Sequence, residues 1–190
     1  MIYVIGSLRN PKIPEVSAAL REHGFEVFDD WYAAGPHADD CWRDYEKGRG
    51  HTFPEALKGH AATHVFGFDY RNLSRASSVV LVLPAGKSAH LEFGWSVGKG
   101  KMGVILLDQD PERFDVMYKF AHVVAASLEE MVDAVERQEK NEFTRRLRTQ
   151  SAAGEGHGCR ARASGVARTH NGHALLGGLE VVRKNPRDEG

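Results

Sequence analysis

The carboxylate of Glu92 follows an apolar strand and a short loop, a position from which it can attack carbon. The preceding run, residues 79–83, has the length and continuous apolar character of a strand buried on both faces of a parallel sheet. The loop after it therefore lies at a strand's carboxyl end, where open α/β sheets bind ligands. We expect Glu92 in the first turn of the next helix, where the helix dipole keeps a carboxylate ionised, as a nucleophile requires. The alternative is a carboxylate that only stabilises the helix N-terminus.

The loop after the first predicted strand, residues 2–5, carries Gly6, Ser7 and Arg9. Glycine lets the backbone approach an anion closely, and the serine hydroxyl can donate a hydrogen bond. The arginine can grip a phosphate or carboxylate in bidentate fashion. Together they suit a 5'-phosphate, and the alternative is an ordinary turn beside a solvated arginine.

Two further side chains could contact a substrate. Asp69 lies on a predicted helix before the central strand, in an aromatic stretch that includes Phe66 and Phe68. Its alternative role is that of a surface aspartate beside Arg71. Trp31 lies three residues after the second predicted strand and can stack on a nucleobase, although buried tryptophans also serve simple packing.

The elements that must position these residues alternate between strand and helix. Strands are predicted at residues 2–5, 25–28, 79–83, 104–107 and 123–125. The first intervening helix stops at Gly24, and the last begins with a capping box formed by Ser127 and Glu130. Right-handed crossovers then give a flavodoxin-like, doubly wound, five-stranded and mainly parallel sheet with flanking helices.

Two stretches depart from this alternation. Residues 29–64 carry aromatics among glycines, prolines and charges, and are predicted to form a long excursion with a short helix near residues 55–62. Residues 151–190 lose all periodicity and are predicted to be a disordered tail rich in glycine, arginine and histidine. We therefore expect one folded domain, residues 1–150, followed by this tail.

Composition narrows the class of protein. A chain of 190 residues with a formal net charge of -1 can bury one core and lacks the basic balance of a nucleic-acid binder. Its two cysteines, Cys41 and Cys159, fit neither a disulfide framework nor a metal site, and its ten histidines are dispersed. No apolar run is long enough to cross a membrane. We expect a cytoplasmic protein that needs no metal or cofactor and acts on small molecules.

Taken in order, these residues resemble the nucleoside 2-deoxyribosyltransferase family, which includes the related 2'-deoxynucleoside 5'-monophosphate N-glycosidases. The resemblance rests on residues 2–9, on Asp69 and Leu73 before the central strand, and on residues 91–94 and 98–101. It covers residues 2 to 126 in pieces. The fold that it implies is the flavodoxin-like sheet predicted above.

The resemblance also implies a reaction. Glu92 would attack C1' of a nucleoside while the base leaves, and a second base or water would resolve the glycosyl-enzyme ester. Tyr3 would orient Glu92, and Asp69 would contact the sugar hydroxyls or protonate the departing base. Members of the family are homodimers or larger assemblies whose sites borrow residues from a neighbouring subunit. His122 falls in the region from which that contribution would come.

The chain departs from the family pattern in the loop before Glu92. Family members often carry Asp or Ser six residues before the glutamate, where this chain has Gly86. Ser88, predicted at the helix N-cap, would take over that substrate contact. The aromatic segment from Trp31 to Tyr45 would shape the base pocket.

Three functions follow from these observations. The first is an enzyme that passes the deoxyribosyl group of a 2'-deoxynucleoside, or of its 5'-monophosphate, to another nucleobase or to water. The second is a nucleotide-binding module without catalysis, since unrelated proteins of this fold bind nucleotides. A nicotinamide-dependent oxidoreductase is the weakest of the three, because the first loop lacks the Gly-x-Gly-x-x-Gly spacing.

Overall fold

A five-stranded parallel sheet forms the centre of the protein. The computed structural model describes residues 1–111 and 114–154. All strand pairs are parallel and the order is β2-β1-β3-β4-β5, which confirms the predicted flavodoxin-like α/β fold. The strands are β1 Ile2–Ile5, β2 Val27–Phe28, β3 Ser78–Val82, β4 Met102–Leu106 and β5 Val123–Ala125.

Helices cover both faces of this sheet. They are α1 Ile13–Glu22, α2 Ala38–Gly48, α3 Phe53–Ala56, α4 His60–Arg75, α5 Lys87–Gly98 and α6 Leu128–Gly154, with 3₁₀ helices at Asp30–Ala34 and Val116–Phe120. Apolar residues of α1 and α6 pack on one face of the sheet, and those of α4 and α5 pack on the other. The described part of the chain contains no helix that is both long and apolar enough to span a bilayer.

The side chains of β1 show how the two cores arise. Val4 points into the core beneath α1 and α6, whereas Tyr3 and Ile5 point into the core beneath α4 and α5. All three are essentially without solvent contact. A continuous apolar strand is what burial on both faces demands, and alternation along the strand sends each neighbour to the opposite side.

The order of the strands creates a ligand crevice. From β1 the chain moves outward to β2, and it then returns to the other side of β1 to form β3. Loops that leave the carboxyl ends of β1 and β3 therefore diverge to opposite faces of the sheet. In open α/β sheets the gap between such loops is where ligands bind.

The excursion predicted as a long loop is largely helical, so that prediction was wrong. α2 has eleven residues and α4 begins at His60, whereas the prediction allowed only a short helix near residues 55–62. α2 buries a single residue, Glu46, and so offers no apolar periodicity to read. Acidic residues in its first turn and Lys47 in its last favour the helix through the dipole instead.

Other boundaries shift by a few residues. β2 contains two residues rather than the four predicted at 25–28. Gly24 adopts a φ of 83°, the left-handed conformation that ends α1 as predicted. Glu130 N donates to Ser127 Oγ over 3.1 Å at the predicted start of α6. That helix continues through residue 154, and residues 155–190 of the predicted tail lie outside the described residues.

Candidate active site

Tyr3, Asp69 and Glu92 come together as a cluster of acidic groups between α4, α5 and the face of β1. Tyr3 is only 1% exposed, while Asp69 and Glu92 are partly buried. Burial, followed by the charge of Asp69, raises the pKa of Glu92 to about 7. Carboxyl groups with such shifted pKa values concentrate at functional sites because proton transfer near neutral pH requires them.

Glu92 is positioned by the second turn of α5, and its prediction in the first turn was wrong. α5 begins at Lys87 with Gly86 as its N-cap, so Glu92 is the sixth helical residue. The dipole effect fades within one turn, and burial therefore decides the pKa of this carboxyl. With a pKa of about 7, Glu92 gains and loses its proton near neutral pH, where an ordinary glutamate is fully ionised.

The two neighbours of Glu92 in the cluster, Asp69 and Tyr3, both have raised pKa values. Burial raises the pKa of Asp69, whose Oδ1 is buried and makes no hydrogen bond within residues 1–111 and 114–154. Burial and the two carboxylates raise the pKa of Tyr3 above its usual range, so its hydroxyl stays protonated as a donor. One cluster thus holds a fixed hydroxyl donor and two carboxyls that disfavour simultaneous ionisation.

An aromatic wall lies beside the acidic cluster. The rings of Tyr3 and Phe28 have centroids 5.0 Å apart, and those of Phe28 and Phe68 are 5.6 Å apart. Phe68 is next in sequence to Asp69, so α4 places the wall and the carboxyl together. Apolar rings lower the local dielectric constant, which strengthens the charge interactions within the cluster.

A crevice of about 400 Å³ opens at the carboxyl edge of the sheet. Its lining comes from the loops after β1, β3 and β4: Ser7, Arg9, Asn10, Pro11, Lys12, Pro84, Ala85, Gly86 and Asp108. Gly6 leads into the first of these loops. A Cβ there would lie 2.3 Å from Ile13 Cδ1, so glycine lets α1 pack closely beneath the crevice.

The cations of the crevice are paired with carboxylates. Arg9 Nη2 lies 2.5 Å from Asp40 Oδ2, and Arg9 Nε donates to the Pro36 carbonyl over 3.2 Å. Lys12 Nζ pairs with Asp108. Arg9 was predicted to grip a phosphate, and in this structure its guanidinium joins the first loop to α2.

The remaining predicted site residues lie at three different places. Trp31 donates from Nε1 to the Val4 carbonyl over 2.9 Å and packs against both cores. Ser88 is exposed in the first turn of α5, and its prediction as N-cap was wrong because the extended backbone of Gly86 fills that role. His122 Nδ1 accepts from Gly103 N over 3.1 Å, near the amino end of β4. His122 is therefore far from its own chain's crevice, and its predicted role in a neighbouring subunit stays a prediction.

Three crevice residues were missed by the sequence-based interpretation: Asn10, Lys12 and Asp108. Asn10 is buried, and its Nδ2 donates to the carbonyls of Val82 and Pro84 at 3.3 Å each, joining the first loop to the third strand. Asp108 comes two residues after the end of β4, so the same carboxyl-end rule that selected Arg9 could have found it. A buried asparagine carries no such signal in a single sequence.

The comparisons with known proteins do not assign the chain to a family. No protein-family model matches it, and a search of curated proteins finds no significant match. No group of three or more metal-binding side chains clusters within the part of the chain that the structure describes. The functional argument therefore rests on the acidic cluster and the crevice.

Proposed function

We propose that the protein cleaves the N-glycosidic bond of 2'-deoxynucleosides or their 5'-monophosphates through a glycosyl-Glu92 ester. The observation that carries the proposal is the pair of carboxyls, Asp69 and Glu92, with raised pKa values beside the buried Tyr3 hydroxyl. Two carboxyls that share one proton can supply the carboxylate nucleophile and the acid that a retaining displacement uses. The resemblance of the sequence to nucleoside 2-deoxyribosyltransferases supports the same reaction.

In the first half-reaction the ionised Glu92 carboxylate forms a bond to C1' while the bond from C1' to the base nitrogen breaks. The departing base takes both electrons of that bond and a proton from the Asp69 carboxyl. Tyr3 donates a hydrogen bond that orients Glu92. The two carboxyls disfavour simultaneous ionisation and keep one proton between them, and the reactive form is the one in which Asp69 carries that proton and Glu92 is ionised.

In the second half-reaction an acceptor attacks C1' and releases Glu92 as a carboxylate. The acceptor is water in a hydrolase and a second nucleobase in a transferase, and ionised Asp69 removes its proton. Both outcomes share the first step. No cofactor is required, since the nucleophile and the acid both come from the chain.

The crevice supplies the substrate contacts. Ser7, Arg9 and Gly86 line it and are assigned to the 5' end of the substrate, with Ser88 and the Gly6 backbone beside them. The first amides of α5 have no side-chain cap, which leaves them free to bind an oxygen or an anion. Trp31 and the wall that includes Phe28 and Phe68 are assigned to the base.

Self-association forms the second part of the proposal. Large apolar side chains are exposed on α4, α5 and the second 3₁₀ helix, including Phe66 at 68%, Leu91 at 75% and Val116 at 75%. Ring contacts join these elements, from α4 to α5 through Tyr70 and Trp95 and from α5 to the 3₁₀ helix through His90 and Tyr118. Exposed apolar patches on joined elements mark interaction surfaces. Leu91 precedes Glu92 directly, so a second copy on this surface would exclude water from the acidic cluster. Sedimentation equilibrium should give a dimer or larger assembly, and a monomer at 50 µM and above would oppose this part.

The deciding assay incubates the protein with each 2'-deoxynucleoside and its 5'-monophosphate, with and without an acceptor base, and follows base release by chromatography. Free base without an acceptor identifies a hydrolase. A new nucleoside that appears only with an acceptor identifies a transferase. Binding without turnover of any of these compounds would overturn the catalytic proposal in favour of the non-catalytic nucleotide-binding module.

A further inference from the structure

The ion pair between Lys12 and Asp108 lies within the crevice itself. Both residues line the cavity, and their side chains are 44% and 35% exposed. Asp108 reaches Lys12 across the sheet edge, from the loop after β4 to the loop after β1. The Asp108 carboxylate is therefore paired with the Lys12 ammonium group, which a ligand in the crevice would contact.

The second cation of the crevice, Arg9, has two partners, the Asp40 carboxylate and the Pro36 carbonyl. Asp40, the partner of Arg9, also accepts from Arg43 over 2.9 Å and lies 4.0 Å from His37. Its charge is thus shared among several groups on α2 and the preceding loop. Asp108 has one ion-pair partner, Lys12, among the residues that the structure describes. A ligand therefore has fewer contacts to displace at Lys12 than at Arg9.

Hydrogen bonds hold the backbone of the crevice in place, whereas the Lys12 side chain can change its partner. The buried Asn10 amide bonds two carbonyls of the third strand and its loop, and Asn10 Oδ1 accepts from Lys12 N over 3.0 Å. The backbone that carries Lys12 is therefore held in place. The ammonium at the end of its flexible side chain can still move from Asp108 to an incoming oxygen.

We propose that Asp108 is a specificity-determining residue that sets the preference of the crevice between anionic and neutral 5' groups. It neutralises Lys12 when no anion is bound, so a phosphomonoester must displace it, whereas a 5'-hydroxyl can bind beside the intact pair. The inference rests on the proposed function for the identity of the ligand. The charge exchange between Lys12 and Asp108 can be measured without turnover.

The test compares the affinities of the full-length protein and its variants for inorganic phosphate, 2'-deoxynucleoside 5'-monophosphates and the matching nucleosides, by isothermal titration calorimetry at low salt. Asp108→Asn should tighten the binding of phosphate and monophosphates about tenfold, the effect of removing one half-exposed charge. Nucleoside affinity should stay within twofold. The matched control is Asp110→Asn, which removes the same charge from an exposed residue of the same loop and should change neither affinity.

A double-mutant cycle shows whether Asp108 acts through Lys12. Lys12→Gln should weaken phosphate binding, and Asp108→Asn should bring no gain in that background. The inference fails if the gain persists without Lys12, if Asp110→Asn gives the same gain, or if Asp108→Asn leaves the affinities unchanged. Should Asp108→Asn unfold, as thermal denaturation would reveal, the Lys12→Gln variant still decides, because undiminished phosphate binding would overturn the inference.

The two proposals can fail separately. If no base is released from any substrate but Asp108→Asn still tightens phosphate binding through Lys12, the catalytic proposal fails and the specificity inference stands. If base is released but Asp108→Asn leaves the ratio of kcat/KM for monophosphate and nucleoside unchanged, the specificity inference fails alone.

Discussion

Two groups of ionisable side chains lie on this fold, and they are built in opposite ways. The cluster of Tyr3, Asp69 and Glu92 is buried or partly buried and contains no cation, and its pKa values are raised above their ordinary ranges. The crevice at the sheet edge is open, and there Arg9 and Lys12 each lie against a carboxylate. Both groups draw residues from β1 or the loop after it and from elements that follow β3, and the cluster adds Asp69 from α4.

In the proposed function the cluster carries out the reaction and the crevice binds the substrate, and the two environments fit these tasks. A carboxyl that is buried without a counter-charge has a pKa that responds strongly to nearby charges. Such an environment suits groups that must gain and lose protons. Ion pairs in contact with water exchange partners at little cost, since such pairs are each worth only about 0–1 kcal/mol. The predictions below test this division, beginning with the cluster, where single changes should have the largest effects.

Glu92→Gln should have the largest effect. The amide cannot form the ester with C1', so base release should fall by at least about 10³-fold, measured as kcat with the best substrate. The matched control is Glu22→Gln, which makes the same change at an exposed residue at the end of α1 and should keep full activity. Substantial activity in Glu92→Gln would disprove the assignment of the nucleophile.

Asp69→Asn should lower base release about a hundredfold, since it removes the general acid. It should also shift the acid limb of the pH–rate profile. The charge of Asp69 contributes to the raised pKa of Glu92, so its removal should move the midpoint of that limb below the wild-type value near pH 7. The control is Asp133→Asn, which makes the same change at an exposed residue and should leave the midpoint unchanged. An unmoved midpoint in Asp69→Asn would show that the two carboxyls are not coupled.

The burial of Glu92 should also make stability depend on pH. Folded Glu92 keeps its proton up to about pH 7, whereas unfolded Glu92 loses it near 4.5, so the folded state binds more protons between these values. The free energy of unfolding should therefore fall as pH rises through this window, by about 1–3 kcal/mol. Urea denaturation at pH 5 and pH 8 measures this slope.

The same measurement on Glu92→Gln supplies the control, because an amide does not titrate. That variant should match the wild type at pH 5 and exceed its stability at pH 8. Equal pH slopes in the two proteins would mean that other groups cause the dependence.

Arg9→Ala should have the smallest effect, because this arginine is 61% exposed and paired on the surface. Its stability cost should stay below about 1 kcal/mol. If Arg9 leaves Asp40 to bind a phosphate, KM for the monophosphate should rise several-fold more than KM for the nucleoside. A similar rise for both substrates would restrict Arg9 to its contact with α2.

Much of the fold could be predicted from the sequence because strong local signals determine it. The apolar run that forms β3 and the alternation around it were sufficient to predict a parallel sheet with helices on both faces. α2 was missed because a helix that buries only Glu46 has no apolar period. Charge, rather than hydrophobic pattern, defines that helix.

The candidate site could be predicted only in part. Strand ends and the resemblance to a family predict Tyr3, Asp69 and Glu92 as site residues, and packing brings the three together. Asp108 was missed although it also follows a strand, because a lone aspartate in a loop suggests nothing without its partner. Its pairing with Lys12 joins residues 96 positions apart, which no local pattern can encode.

The sequence by itself determined the class of fold, and it predicted the edge of the sheet at which a ligand would bind and the carboxylate proposed to attack carbon. These depend on periodicity and on the order of elements, which are local properties. Only the tertiary structure decided the protonation of Glu92 and the pairing of Arg9 and Lys12. A pKa depends on burial and on charges brought from distant parts of the chain. Burial of Glu92 by packing therefore decides its pKa, rather than the helix dipole expected from its position in the sequence.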